Sequence, residues 1–176
     1  MNLGKMLVSV TAGIALVASA GLATSVPAQA KTKTKGVTVI SFDKSLAPII
    51  AGIVVVPPAK KSGTRLSFPV TKAQGPTVSH SGAIKIGTTE VSDPVITIGQ
   101  NNTASVTVTS ALGAVELFTI KNFKMRTSKG KQQIWQGFLH LTANPIVVDI
   151  LNASVGAQVF TADMGLGQIR TTINKK

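Results

Sequence analysis

The chain has 176 residues, 18 Lys and Arg against 6 Asp and Glu, a formal charge of +12, two His, and neither Cys nor Tyr. Without cysteine there can be no disulfide, no thiolate nucleophile or thiolate metal site, and no lipid attached at a cysteine behind a signal sequence. The positive excess favours anionic partners through a long-range attraction that salt screens over about 8–10 Å.

Lys5, the apolar run Met6–Ala23 and the small-x-small sequence Ala28-Gln29-Ala30 read as a secretion signal. Cleavage after Ala30 is expected, with secretion or display at the cell surface. Residues 1–30 are then the signal helix, 31–36 a basic flexible tail carrying Lys31, Lys33 and Lys35, and 37–174 a single β-rich domain. No second long apolar run follows, so no transmembrane segment is expected in the mature chain.

Val37–Phe42 (VTVISF) reads as a first strand. Asp43 or Ser45 is placed to cap a short helical turn over Leu46–Ile50, with Pro48 in its first turn and Gly52 ending it. A strand Ile53–Val56 is stopped by Pro57-Pro58, and Ala59–Thr64 reads as a basic loop. Leu66–Val70 is a short strand. Its Pro69 cannot donate to a ladder, which predicts a sheet edge or a strand end there. Thr71–Pro76 connects it to the most periodic stretch of the chain.

That stretch is Thr77–Ile98. Val78, His80, Gly82, Ile84 and Ile86 alternate with polar residues, then Gly87-Thr88-Thr89 turns the chain into a second β-rich run. A β-hairpin, or two neighbouring strands of a meander, is the simplest reading. His80 shares a face with Ile84 and Ile86, so its ring is expected to face the interior. There it needs a serine hydroxyl, a backbone carbonyl or a ligand, because a buried unpaired polar group costs roughly 1–3 kcal/mol.

Strands are expected over Ala104–Thr109, Ala114–Thr127 and Lys131–Thr142, with turns at Asn101-Asn102 and Thr127–Gly130. In the last of these strands Ile134, Gln136, Phe138 and His140 share one face, and Trp135, Leu139 and Leu141 the other. The leucine face is the core-like one, which sends His140 toward solvent or a groove. Trp135 belongs to the core or lines a pocket. Asn144 and Pro145 open a helix of about two turns that Gly156 stops, and Met164–Ile173 returns as a last strand. Roughly eight or nine short strands predict an all-β fold: an antiparallel sandwich or partly closed barrel with two short helices, behind the signal helix.

The catalytic inventory is poor. Only His80 and His140 can act as bases near neutral pH, Gly-x-Ser-x-Gly is absent, and the six acids form no obvious pair. No His spacing suggests a metal site, and no enzyme is expected. Six Phe and one Trp, with no RNP-like run and no helix-turn-helix pattern, argue against nucleic acid. Lys121, Lys124, Arg126, Lys129 and Lys131 form the densest basic group. Such lysines solvate a β-surface, or they hold the protein to an anionic cell-wall polymer or to lipid headgroups in a structural or adhesive role.

The run His80-Ser81-Gly82-Ala83-Ile84, followed by Asp93-Pro94-Val95-Ile96, resembles the central segment of HtaA-type domains. Phe68-Pro69-Val70, Leu151-Asn152 and Gly165-Leu166-Gly167 add a similarity to short secreted actinobacterial proteins. The resemblance implies a secreted or surface β-domain that binds rather than catalyses, with haem or another small apolar ligand. It makes His80 the pocket histidine, with Ser79, Ser81 and Trp135 as further candidate contacts. In that family a tyrosine holds the haem iron. This chain has no tyrosine, so an axial ligand would fall to His80, Met125 or Met164.

Overall fold

The computed structural model describes residues 36–128 and 132–174. The expected signal segment, the basic tail up to Lys35, Lys129, Lys131 and the tip of the 127–130 turn lie outside the described residues.

Eleven strands form one antiparallel sheet: β1 Gly36–Phe42, β2 Val54–Val56, β3 Lys60–Ser62, β4 Arg65–Gln74, β5 Thr77–His80, β6 Ala83–Ile86, β7 Thr89–Ile98, β8 Ala104–Ser110, β9 Gly113–Ser128, β10 Gln132–Leu141 and β11 Gly165–Asn174. Eight of them close into a barrel in the order β7-β5-β4-β1-β11-β10-β9-β8, with β8 paired back onto β7. β6 prolongs the run of β5 along β7 and carries β2 at its outer side, while β3 pairs with β4.

The expected hairpin over Thr77–Ile98 is present, broken once. Val78 pairs with Ile96 and Ile84 with Val91, and the register slips by one residue around Ser81-Gly82. Gly82 is obligatory at this break. Its φ is +108°, and a Cβ there would lie 2.7 Å from the backbone nitrogen of Ala59.

Alternation builds the interior. Thr38, Ile40 and Phe42 of β1, Leu66, Phe68 and Val70 of β4, and Leu139 and Leu141 of β10 are buried. One barrel end is covered by Leu46, Ile50 and Ile53, which belong to a 3-10 turn Lys44–Leu46, the short helix α1 Ala47–Ala51 and the residue before β2. Leu151 of the second helix, α2 Pro145–Val155, joins them.

Several local expectations are corrected. Pro69 lies inside β4, a strand flanked by β1 and β5, rather than at an edge. It is tolerated because Val37↔Pro69 is the last pair of the β1 ladder and the β5 ladder is bulged between Val70 and Lys72. The basic loop contains strand β3, whose Lys61 Nζ donates to the carbonyls of Ile50 (3.3 Å), Ala51 (3.0 Å) and Ile53 (2.6 Å). The Ala51 and Ile53 carbonyls lie at the end of α1 and just beyond it, where acceptors run out of helical donors, while the Ile50 carbonyl also accepts from the Ile53 N–H at 3.1 Å. Asp43 precedes the 3-10 turn but its side chain makes no capping bond. α2 has 11 residues, about three turns rather than two. Its ends follow the sequence: Asn144 Oδ1 accepts from the Ile146 N–H at 3.1 Å, and Gly156 stops it in the left-handed conformation.

Candidate binding site

His80 ends β5 with its ring inside the barrel, 4% exposed. Its Nδ1 lies 2.7 Å from the Pro94 carbonyl, which can only accept, so Nδ1 carries the proton. Nε2 therefore accepts, from the Thr38 hydroxyl at 2.6 Å. With its proton so used, Thr38 accepts from the Thr171 hydroxyl at 2.7 Å. β1 and β11 place the two threonines opposite each other. The result is a directed chain, Thr171 to Thr38 to His80 to Pro94, in which each imidazole nitrogen has one partner. Burial pulls the His80 pKa from 6.5 down to about 4, against the raising effect of the Pro94 bond, and the neutral ring is the resident form.

The other residues singled out in the sequence lie apart. Ser79 and Ser81 are half-buried, with their backbone engaged: the Ser79 carbonyl accepts from Thr71 Oγ1 at 3.1 Å and the Ser81 N–H donates to Pro69 at 3.2 Å. Trp135 is 3% exposed and sits edge-on to Phe123, ring centres 5.7 Å apart, and among the described residues its Nε1 has no partner. His140 faces the barrel exterior and donates from Nδ1 to the Asp163 carbonyl at 3.0 Å. Lys121 donates to the Asp163 carboxylate at 2.5 Å and holds its pKa below the usual range. Lys124 and Arg126 are exposed on β9.

An open apolar recess lies elsewhere. α2 is pinned by its C-terminal end to the β6–β7 turn. Ser154 donates to Ile150 at 2.8 Å and so accepts from Thr89 at 2.5 Å. Gly87, at φ +58°, lets the turn approach so closely that a Cβ would stand 1.7 Å from the Ser154 carbonyl oxygen. The N-terminal half of α2 leaves a cleft of about 640 Å³ against β7, the ends of β8 and β9, and the turn between them. Val108, Val115, Leu117, Val147 and Ile150 supply its walls. Leu112 (76% exposed) and Ile146 (67% exposed) stand at its rims. Asn144, Glu90 and a few hydroxyls add polarity. This is the shape of a site that holds a small apolar molecule by area and orients it with a few polar groups.

None of His80, Ser79, Ser81 and Trp135 lines this cleft. The sequence alone did not mark Leu112 or Ile146 as a candidate contact. The available signal was a leucine within the tight Ser110–Gly113 turn, where a large apolar side chain has no core to enter. Among the described residues no group of three or more His, Asp or Glu is placed to hold a metal ion, and no helix is long and apolar enough to cross a membrane.

No family model and no curated protein matches the sequence. Solved structures match by fold. The chain superposes on the crystal structure of the haem-binding protein HtaB from Corynebacterium glutamicum with a TM-score of 0.59 at 15% identity, over 81% of this chain and 94% of that one. It superposes on the C-terminal domain of HtaA from Corynebacterium glutamicum with a TM-score of 0.58 at 12% identity, over 80% and 96% respectively. The fold is therefore HtaA-like, as the motif around His80 implied.

Proposed function

We propose that this HtaA-like chain is an exported, non-catalytic binding protein that takes a small, flat apolar ligand between Leu112 and Ile146. The observation that carries this reading is the cleft itself, with two large aliphatic side chains left in water at its rims. Each Å² of apolar surface that a ligand covers contributes about 25 cal/mol. A ligand seated there recovers what folding left exposed.

Haem is the first ligand to consider, since HtaB bears a haem-binding name. The donor set of this cleft does not fit iron ligation. No His, Met, Tyr or Cys lines it, and its one carboxylate, Glu90, is paired with Lys85 at 3.0 Å. His80 has both ring nitrogens engaged inside the barrel, and Met125 and Met164 lie outside the cleft. The ligand class assigned here is accordingly an apolar molecule held by contact area, with no bond to a metal.

A side-by-side titration tests this, with haem and with metal-free protoporphyrin IX, on the parent and on the Leu112→Glu/Ile146→Glu variant. Both porphyrins should bind the parent with similar affinity and neither should bind the variant. Binding of haem alone would mean that iron ligation governs. Undiminished binding to the variant would move the site out of the cleft.

A further inference from the structure

On the opposite design from the apolar cleft, the barrel carries a broad trough of about 1400 Å³ across the outer faces of β4, β1, β11, β10 and β9. Its lining includes Arg65, Lys124, Arg126 and Arg170 and no acidic residue. Among the described residues none of these four cations is in an ion pair, whereas the neighbouring Lys121 is neutralised by Asp163.

The strand register orders the arginines. Arg65 pairs with Ser41, which pairs with Gln168. Arg170, one step along the strands, lies between Val39 and Gln136. Arg126 pairs with Ile134, which pairs with Thr172, one step further again. Each arginine is thus two strands and two residues from the next, roughly 12 Å by standard strand geometry. The three lie on one diagonal. The β9–β10 ladder shifts register between Gln136 and Phe138, opposite Asn122 at φ +50°, and such an irregularity bends the strands that wall the trough.

We infer that this diagonal is a track for an extended polymer of polyol units joined by phosphodiesters. A guanidinium fork takes two oxygens of one phosphodiester, which a lysine cannot do with the same geometry. Between the arginines stand Gln136, Gln168, Ser41 and Thr172, groups that match polyol hydroxyls. Phe138 is the exposed aromatic of the trough, and one ring is no stacking platform for successive bases.

The test is binding of labelled poly(glycerol phosphate) to the protein, followed by anisotropy over a salt series. Polygalacturonate, oligo-thymidylate and phosphatidylglycerol vesicles run as parallel probes. The Arg65→Gln/Arg126→Gln/Arg170→Gln variant is compared with Lys44→Gln/Lys60→Gln/Lys72→Gln, which removes equal charge from exposed positions outside the trough. The arginine variant should weaken binding roughly tenfold or more and lower the slope of log K against log salt by about 2, at roughly 0.7 per lost contact. The lysine variant should change little. Arg170→Gln alone, at the centre of the track, should weaken binding measurably and serves if the triple variant fails to fold. Equal losses in the two triple variants, or no binding by the parent, would overturn the track. Tighter, arginine-dependent binding of another probe would overturn its assignment to a polyol phosphodiester.

Discussion

The Thr38 hydroxyl and the His80 imidazole, 42 residues apart in the chain, meet at 2.6 Å inside the barrel, and the bond gives a partner to the ring nitrogen that the Pro94 carbonyl leaves bare. β4 lies between their two strands, so the contact spans the interior rather than running along a ladder. Thr38→Val should remove the donor, leave Nε2 buried and unpartnered, and cost roughly 1–3 kcal/mol. Thr38→Ser should recover most of that loss. Denaturant unfolding of the two variants checks it, and equal stability of the parent and Thr38→Val would show that the bond carries no weight.

The same burial makes stability depend on pH. The unfolded chain takes up a proton at His80 as pH falls below 6.5, whereas the folded chain resists until about 4. The contribution is therefore intact above pH 6.5 and lost progressively between 6.5 and about 4, reaching about 3 kcal/mol. Unfolding by urea at about pH 7.5 and about pH 4.5, with an NMR titration of the His80 ring, measures both sides of this linkage. A ring that titrates near its ordinary value would contradict the buried, neutral assignment.

Asn152, 2% exposed on α2, is the anchor of the loop that leads to β11. Its Oδ1 accepts from the Val159 and Phe160 N–H groups at 2.9 and 2.8 Å, and its Nδ2 donates to the Phe160 carbonyl at 2.9 Å and to Gln158 Oε1 at 3.0 Å. Asn152→Leu should cost roughly 2–4 kcal/mol, since it strands several backbone groups at once. Hydrogen exchange at Val159 and Phe160 should accelerate ahead of the barrel amides, and unchanged exchange there would count against the anchor.

Leu112→Glu/Ile146→Glu, the cleft variant, should leave stability within about 0.5 kcal/mol of the parent, because both side chains are already in water. Thermal unfolding without ligand checks this. A large drop in melting temperature would mean that these residues serve the fold and not a ligand.

Much of the fold was legible because its signals are local. Alternation over Val37–Phe42 and Thr77–Ile86 follows from the two-residue period of a strand, and Asn144, Pro145 and Gly156 bound α2 through bonds and dihedrals within a few residues. The burial of Trp135 and the interior position of His80 came from the same parity. Pro69 misled because a proline's missing donor is harmless at a ladder end beside a bulge, and no local pattern marks where two ladders stop.

Composition and periodicity alone determined an all-β antiparallel chain, without thiol chemistry, strongly basic, with one buried histidine in need of partners. Only the tertiary structure decided that the sheet closes into a barrel, that the partners are Thr38 and the Pro94 carbonyl, and that Leu112 and Ile146 line one cleft. It also decided that Arg65, Arg126 and Arg170 share one diagonal. The physical reason is register. A strand's own residues set which way its side chains point, but the offset between strands far apart in sequence sets which side chains meet, and that offset is decided by packing across the whole barrel.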